Sequence, residues 1–164
     1  MQMGVRIGID VGKVRIGIAK SDPTGFLASP LETVKRDNAE GTHIRRILDI
    51  ANEHAAEVIY VGDPINLKGE STLSTHDANL VALDIAKLFR EVRLIDERLS
   101  TVTAQSRLGA GGKNVKSARS IIDQAAAAIL LQQALDIERA SGKMAGVKVC
   151  SETQTNSAND GDMF

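Results

Sequence analysis

The chain has 164 residues, the length of one ordinary domain, and its single cysteine, Cys150, excludes an internal disulfide. No apolar run approaches the roughly 18 to 20 residues of a membrane span, and the first residues do not resemble a secretory signal, so we expect a cytoplasmic protein. The net charge of −1 and the scarcity of aromatic residues argue against a strongly basic nucleic-acid binder and against a base-stacking platform.

The first predicted elements are strands. Residues 5–10 and 15–20 are apolar-rich runs, and the short segment between them contains Gly12, a pattern typical of a β-hairpin. A third strand is predicted around residues 31–34. Within residues 40–55, one face of a predicted helix carries Ile44, Ile47, Leu48 and Ala51.

Strands and helices alternate in the rest of the chain. The hydrophobic pattern predicts a strand over 58–61, a helix over about 74–90, a strand over 92–95, a short helix over 101–108 and a long helix over 121 to about 140. This order predicts an α/β fold with one mixed sheet, antiparallel strands first and parallel strands afterwards, flanked by helices. Residues 1–145 are expected to form one domain, and residues 146–164 to be a disordered tail because they lack periodicity.

An aspartate ends the first predicted strand. Asp10 follows buried apolar residues, and Gly12 lies close enough to let a backbone or a phosphate approach. A carboxylate in such a place needs solvent, a hydrogen-bonding partner or a metal ion. The local pattern favours equally a metal ligand and an aspartate that caps its own turn.

Two acids end the strand predicted over 92–95. Asp96 and Glu97 must point to opposite faces, so only one of them can converge with Asp10. We expect Glu97 to reach a shared ion with its longer side chain, while Asp96 hydrogen-bonds the following turn. In the alternative interpretation, Glu97 and the adjacent Arg98 are ordinary surface charges.

A further acid, Asp123, stands near the predicted start of the last helix. The segment from Ser120 to Asp123 has the spacing of a capping box, so by itself it favours capping over metal binding. Acids on two strand ends and one helix start could nevertheless meet at a single sheet edge. Such a cluster repels itself unless Mg²⁺ or Mn²⁺, which prefer oxygen ligands, neutralises it, and two such ions can drive phosphodiester cleavage.

A locally basic stretch surrounds a glycine-rich segment. From residue 98 to residue 119 the chain carries five basic and no acidic side chains, so we expect contacts with the phosphates of a nucleic acid. A mobile linker with solvated charges is the alternative. The histidines lack the spacing of a zinc site. The expected phosphate-binding residues are Arg98, Lys113, Lys116 and Arg119, with Lys13 and Arg15 of the hairpin as further candidates.

Four segments in order resemble the motifs of one family. They are GIDVGKVRIGIAKSD (8–22), VGDPINLKGE (61–70), DERLSTVTA (96–104) and IDQAAAAILLQ (122–132). The chain resembles the YqgF family, also called RuvX, of bacterial proteins similar to Holliday junction resolvases. Asp63 stands where we expect the family to have an apolar residue, which affects the character of that loop and leaves the acidic positions untouched.

The resemblance implies a ribonuclease H-like fold, whose sheet has the strand order predicted above. It places Asp10, Glu97 and Asp123 at the family's acidic positions as catalytic, metal-binding residues. It implies a nuclease that uses Mg²⁺ or Mn²⁺ and acts in maturation of the 5′ end of precursor small-subunit (16S) rRNA during ribosome biogenesis. The implied partners are precursor rRNA, or branched DNA, and ribosomal particles, but no membrane.

Other functions stay open at this point. A Holliday junction resolvase would cut branched DNA. A non-catalytic ribosome-assembly factor would bind structured RNA through the basic stretch and keep the acids for folding. An ATP-dependent phosphotransferase of the actin and sugar-kinase type shares the pattern around Asp10, but those proteins close two domains over the nucleotide and one domain is predicted here.

Overall fold

Six strands and three helices make up the described part of the computed structural model, residues 4–63, 73–96 and 115–150, excepting the side chains of 73–75 and 115–118. The strands are β1 (Val5–Val11), β2 (Arg15–Ser21), β3 (Ala28–Lys35), β4 (Ala56–Asp63), β5 (Val92–Asp96) and β6 (Val147–Lys148). The helices are α1 (Thr42–Glu53), α2 (Leu73–Ala86) and α3 (Val115–Ser141).

The strands form one mixed sheet in the order β3-β2-β1-β4-β5-β6. The first three strands pair antiparallel, and Asp10 on β1 lies opposite Gly17 on β2. Strands β4 and β5 continue the sheet parallel to β1, and β6 closes it antiparallel to β5. The predicted α/β fold, with antiparallel strands first and parallel strands afterwards, is therefore confirmed.

Side-chain alternation along the strands gives the sheet two apolar faces. On one face, Ile7 and Ile9 of β1 share a core with Ile47 of α1 and Val81 of α2. On the other face, Tyr60 of β4 packs with a row of buried residues on α3. That row comprises Ala127, Leu130, Leu131, Ala134 and Leu135.

Small residues on the sheet let α3 approach closely. A Cβ atom on Gly17 would lie only 1.9 Å from the backbone oxygen of Asp123, and one on Gly8 would lie 2.8 Å from the Cβ of Leu131. Any side chain at Gly17 would therefore push the helix away. Since Gly17 pairs with Asp10, this contact sets Asp123 beside the end of β1.

Helix α3 begins earlier than the hydrophobic pattern predicts. It starts at Val115, which places Asp123 more than two turns inside the helix. The capping-box interpretation of Ser120 and Asp123 is therefore wrong, because a capping residue must stand at the helix start. The backbone oxygen of Ser120 instead accepts a hydrogen bond of 3.0 Å from the Thr33 hydroxyl.

The fold continues beyond the domain boundary expected at residue 145. Strand β6 lies inside the segment predicted to be a tail, and Arg93 donates hydrogen bonds to the backbone oxygens of Ala145 and Gly146, at 2.6 and 3.0 Å. The tail prediction needs this correction for residues 146–150, while residues 151–164 and the predicted helix over 101–108 lie outside the described residues. None of the described helices is long and apolar enough to span a membrane.

Candidate active site

Two acidic residues, Asp10 and Asp123, are neighbours where β1 ends beneath α3. Arg6 and Gly8 of β1 contact α3, and Asp10 shares their face because strand side chains alternate. Burial raises the pKa of the Asp123 carboxyl above its usual value, Arg15 opposes that shift, and the charge of Asp10 adds to it. Asp10 pairs in register with Gly17, which packs against the backbone of Asp123, so the two acids are neighbours across the contact of the sheet with α3.

Arg15 is the direct partner of Asp123. Its Nε atom donates a hydrogen bond of 2.9 Å to Oδ2 of the carboxylate. The Arg15 side chain is 33% exposed and that of Asp123 is 20% exposed, so the pair is reached by solvent. Arg15 and Gly17 lie two residues apart on β2 and face α3 together, which explains why the helix contact and the ion pair occur side by side.

A cleft of about 300 Å³ opens beside this ion pair. Two exposed residues of its lining, Lys13 of the hairpin turn and Arg119 of α3, contribute positive charge. Such a cleft suits a phosphate group that approaches Asp123. Its lining consists of Gly12, Lys13, Val14, Arg15, Arg119 and Asp123.

The structure describes only some of the other predicted site residues. Glu97, Arg98 and Lys113 lie outside the described residues. Lys116 belongs to the first turn of α3. Asp96 is described: it pairs in register with Asp63 of β4. Because Ile95 packs on the α3 side, alternation turns Asp96 to the opposite side, away from Asp10 and Asp123.

The chemistry of the described acids fits a hard divalent cation. Asp10 and Asp123 offer carboxylate oxygens, and Mg²⁺ is commonly held by one or two carboxylates together with water and substrate phosphates. Across residues 4–63, 73–96 and 115–150, no three His, Cys, Asp or Glu side chains are grouped so that they could hold a metal ion. A metal ion at these two acids would thus need further oxygen ligands from elsewhere.

Sequence reasoning missed the ion pair between Arg15 and Asp123 and the contact at Gly17. A signal for both was present in β2, because Arg15, Gly17 and Ala19 alternate with isoleucines and so share one face. A basic residue followed by small ones on that face is the pattern expected where a helix crosses closely above a strand. The identity of that helix is a long-range property that the pattern does not contain.

Comparison with known proteins identifies relatives over most of the chain. The RuvX family, described as "Holliday junction resolvase", matches residues 4–137. A protein of Clavibacter sepedonicus is 48% identical over 150 residues, which cover 91% of this chain and 93% of the relative. A protein of Leifsonia xyli subsp. xyli is 50% identical over 147 residues, covering 89% and 94%. Both are named "Putative pre-16S rRNA nuclease".

A solved structure confirms the predicted ribonuclease H-like fold. It is the "T. thermophilus RuvC in complex with Holliday junction substrate", with a TM-score of 0.54. The superposition covers 89% of this chain and 99% of that one at 19% sequence identity. At this identity the likeness concerns the fold alone.

Proposed function

This chain belongs to the RuvX family, and from that premise we propose that it is a metal-dependent nuclease that hydrolyses phosphodiester bonds at the 5′ end of precursor 16S rRNA. The arrangement that supports this proposal most directly is that Asp10 pairs with Gly17, on which the backbone of Asp123 packs, and that Asp123 lines a cationic cleft. The names of the relatives that are 48% and 50% identical favour precursor rRNA as the substrate.

The acids have the role of holding the ion. Asp10 and Asp123 supply carboxylate oxygens, and Glu97 is proposed as the third acid because it occupies the family's remaining acidic position. A Mg²⁺ or Mn²⁺ ion bound there would supply the Lewis-acid chemistry for attack of water on phosphorus. The close packing of α3 on Gly17 fixes the backbone of Asp123 relative to β2, and β2 in turn pairs with Asp10 on β1.

The basic residues have the role of holding the substrate backbone. Lys13, Arg15 and Arg119 line the cleft next to Asp123 and can neutralise phosphates on either side of the scissile bond. Arg98, Lys113 and Lys116 are proposed to extend this surface. Few aromatic residues are available for stacking, so recognition should depend on backbone shape more than on base sequence.

Cleavage of branched DNA is the second candidate, because the matching family is described as a Holliday junction resolvase. Precursor rRNA is preferred on the names of the relatives with much higher sequence identity. A role in ribosome biogenesis in the cytoplasm, on ribosomal particles, belongs to the same proposal. The single cysteine agrees with a reducing compartment.

A cleavage assay with two substrates tests the proposal. Wild-type protein, Asp10→Asn and the matched control Asp49→Asn are incubated with a labelled precursor 16S rRNA fragment and with a four-way DNA junction, with Mg²⁺, Mn²⁺ or EDTA. Asp49 is exposed on α1, which covers the opposite face of the sheet. We expect wild type and Asp49→Asn to cut the RNA with either metal, and Asp10→Asn to cut neither substrate.

Three other outcomes of the cleavage assay would contradict the metal site or support another function. Full cleavage by Asp10→Asn, or cleavage in EDTA, contradicts the metal site. Cleavage of the junction in preference to RNA supports the resolvase alternative. Tight RNA binding without cleavage by wild type supports a non-catalytic assembly factor.

A further inference from the structure

Arg15 connects the acids to the cleft. Its Nε atom binds Asp123 at 2.9 Å, and the same side chain lines the cleft together with Lys13 and Arg119. Within the described residues, the Nη1 and Nη2 atoms of Arg15 make no hydrogen bond. One guanidinium group therefore holds an acid of the site, and two of its nitrogens have no hydrogen-bond partner among the described residues beside the space proposed for phosphate.

The backbone that carries Arg15 is held in place. The Gly12 amide donates to the Arg15 backbone oxygen at 2.9 Å, which closes the hairpin turn. Arg36, at the end of β3, donates from its amide to the Val14 oxygen at 2.8 Å and from Nη1 to the Gly12 oxygen at 3.0 Å. Arg36 is itself fixed by Asp77 of α2, with Nη2 at 2.9 Å from Oδ1. Any movement of the guanidinium of Arg15 must therefore come from its side chain.

The ion pair is weak enough to exchange. Solvent reaches both side chains, and pairs of that kind contribute little net stability. A divalent cation that takes Asp123 as a ligand places positive charge beside the guanidinium, and like charges repel. The planar guanidinium of arginine binds phosphate oxygens through two parallel hydrogen bonds, so a phosphate in the cleft is a suitable new partner.

We propose that Arg15 is a positioning residue that exchanges partners, pairing with Asp123 until a divalent ion takes that carboxylate and then binding a substrate phosphate in the cleft. This inference rests on the proposed function of Asp10 and Asp123 as metal ligands. It has a thermodynamic consequence, because coupling between two binding sites is reciprocal. Metal binding frees Arg15 for phosphate, and phosphate binding frees Asp123 for metal.

Two binding measurements test the exchange without turnover. Calorimetry measures the affinity for Ca²⁺ in the absence of nucleic acid. Fluorescence anisotropy measures the affinity for a short labelled RNA hairpin with and without saturating Ca²⁺, an ion chosen to suppress cleavage. The proteins are wild type, Arg15→Gln, Asp10→Asn and the matched control Lys13→Gln. This control removes one positive charge from the same cleft and keeps the ion pair of Asp123 with Arg15.

We expect Arg15→Gln to bind Ca²⁺ roughly 2- to 5-fold more tightly than wild type, the range expected when a partly exposed ion pair no longer competes. Its gain in RNA affinity on addition of Ca²⁺ should shrink by a similar factor. Lys13→Gln should bind RNA more weakly under both conditions, keep the wild-type gain, and change Ca²⁺ affinity by less than about 2-fold because Lys13 is exposed.

The two proposals fail in different ways. Loss of Ca²⁺ binding in Asp10→Asn together with an unchanged or weaker Ca²⁺ affinity in Arg15→Gln overturns the exchange alone. An undiminished RNA gain in Arg15→Gln does the same. If wild type shows no Ca²⁺ binding that Asp10→Asn abolishes, the metal site itself is wrong and the exchange falls with it.

Discussion

Two ion pairs join α3 to the same face of the sheet, one near each end of the contact. Arg6 of β1 binds Glu138 at 3.1 Å, and Arg15 of β2 binds Asp123 at 2.9 Å. The distances are similar, but the environments differ. The side chains of Arg6 and Glu138 are 6% and 2% exposed, whereas those of Arg15 and Asp123 are 33% and 20% exposed.

The buried pair is closed by further hydrogen bonds. Oε2 of Glu138 accepts from Arg6, and Oε1 accepts from the Tyr60 hydroxyl at 2.6 Å. Burial raises the pKa of Tyr60 well above its usual value, so the hydroxyl stays a donor at every physiological pH. Because both carboxylate oxygens have partners, a buried charge is tolerated there.

The partly exposed pair of Arg15 and Asp123 has fewer hydrogen bonds. Asp123 receives one hydrogen bond from the described residues, that from Arg15, and it faces a cleft. Two arginine–carboxylate pairs between one helix and one sheet can therefore differ in role, because burial and complete hydrogen bonding suit a pair to holding the helix, whereas exposure beside a cleft suits a pair to binding a ligand.

The largest effect is expected at the buried end. Glu138→Ala removes the carboxylate that pairs with the buried guanidinium of Arg6, and removal of one member of such a pair costs about 3 to 5 kcal/mol. The melting temperature should fall by roughly 10 °C or more. Urea unfolding provides the free energy of unfolding directly.

Asp136→Ala is the matched control, since Asp136 lies on the same helix and is 55% exposed. This variant should change the free energy of unfolding by less than about 1 kcal/mol. Equal stability of the two variants would contradict the importance assigned to the buried pair.

Removal of the segment that contains β6 should have the next largest effect, because Ala145 in that segment supports the same buried end and Val149 supports the core on the other face of the sheet. The Ala145 amide donates to the Tyr60 hydroxyl at 3.2 Å, and Val149 packs against the core. A chain ending at Lys143 loses both contacts and should be less stable by roughly 2 to 3 kcal/mol. A chain ending at Cys150 retains them, and it should melt with the full-length protein in parallel calorimetric scans. A marked loss in that second chain would show that residues 151–164 stabilise the fold.

Gly17→Ala tests the contact of β2 with α3 beneath Asp123. The added methyl group would meet the Asp123 backbone oxygen, so the helix must shift, at an expected cost of about 1 to 3 kcal/mol. The shift should also separate Asp123 from Asp10 and reduce cleavage even where circular dichroism shows the variant to be fully folded. Wild-type cleavage by a destabilised Gly17→Ala protein would mean that the position of α3 is not critical for the site.

The sequence contained much of this fold because the relevant signals are local. Alternating isoleucines and small residues from 5 to 20 indicate paired strands, and Asp10 stands visibly at a strand end. The start of α3 was missed because its first turns carry basic and polar residues without an apolar face, so Asp123 resembled a cap. Strand β6 was missed for another reason. A strand of two residues has no periodicity of its own, and pairing with β5 is what defines it.

The smallest stability effect is expected for Asp123→Asn, and it separates the two ends of α3 most sharply. The substitution keeps the shape of the side chain, weakens a partly exposed ion pair and removes the repulsion from Asp10, so the contributions oppose each other. The free energy of unfolding should therefore change by less than about 1 kcal/mol, while metal-dependent cleavage should be lost. Urea unfolding and the RNA cleavage assay, performed on the same preparation, check both parts.

Arg139→Gln is the control, because it alters an exposed ion pair at the other end of α3. Its stability and its cleavage activity should be close to those of wild type. If Asp123→Asn lowered the free energy of unfolding by several kcal/mol, this carboxylate would stabilise the fold as Glu138 does. The difference in role between the two ends of α3 would then be contradicted.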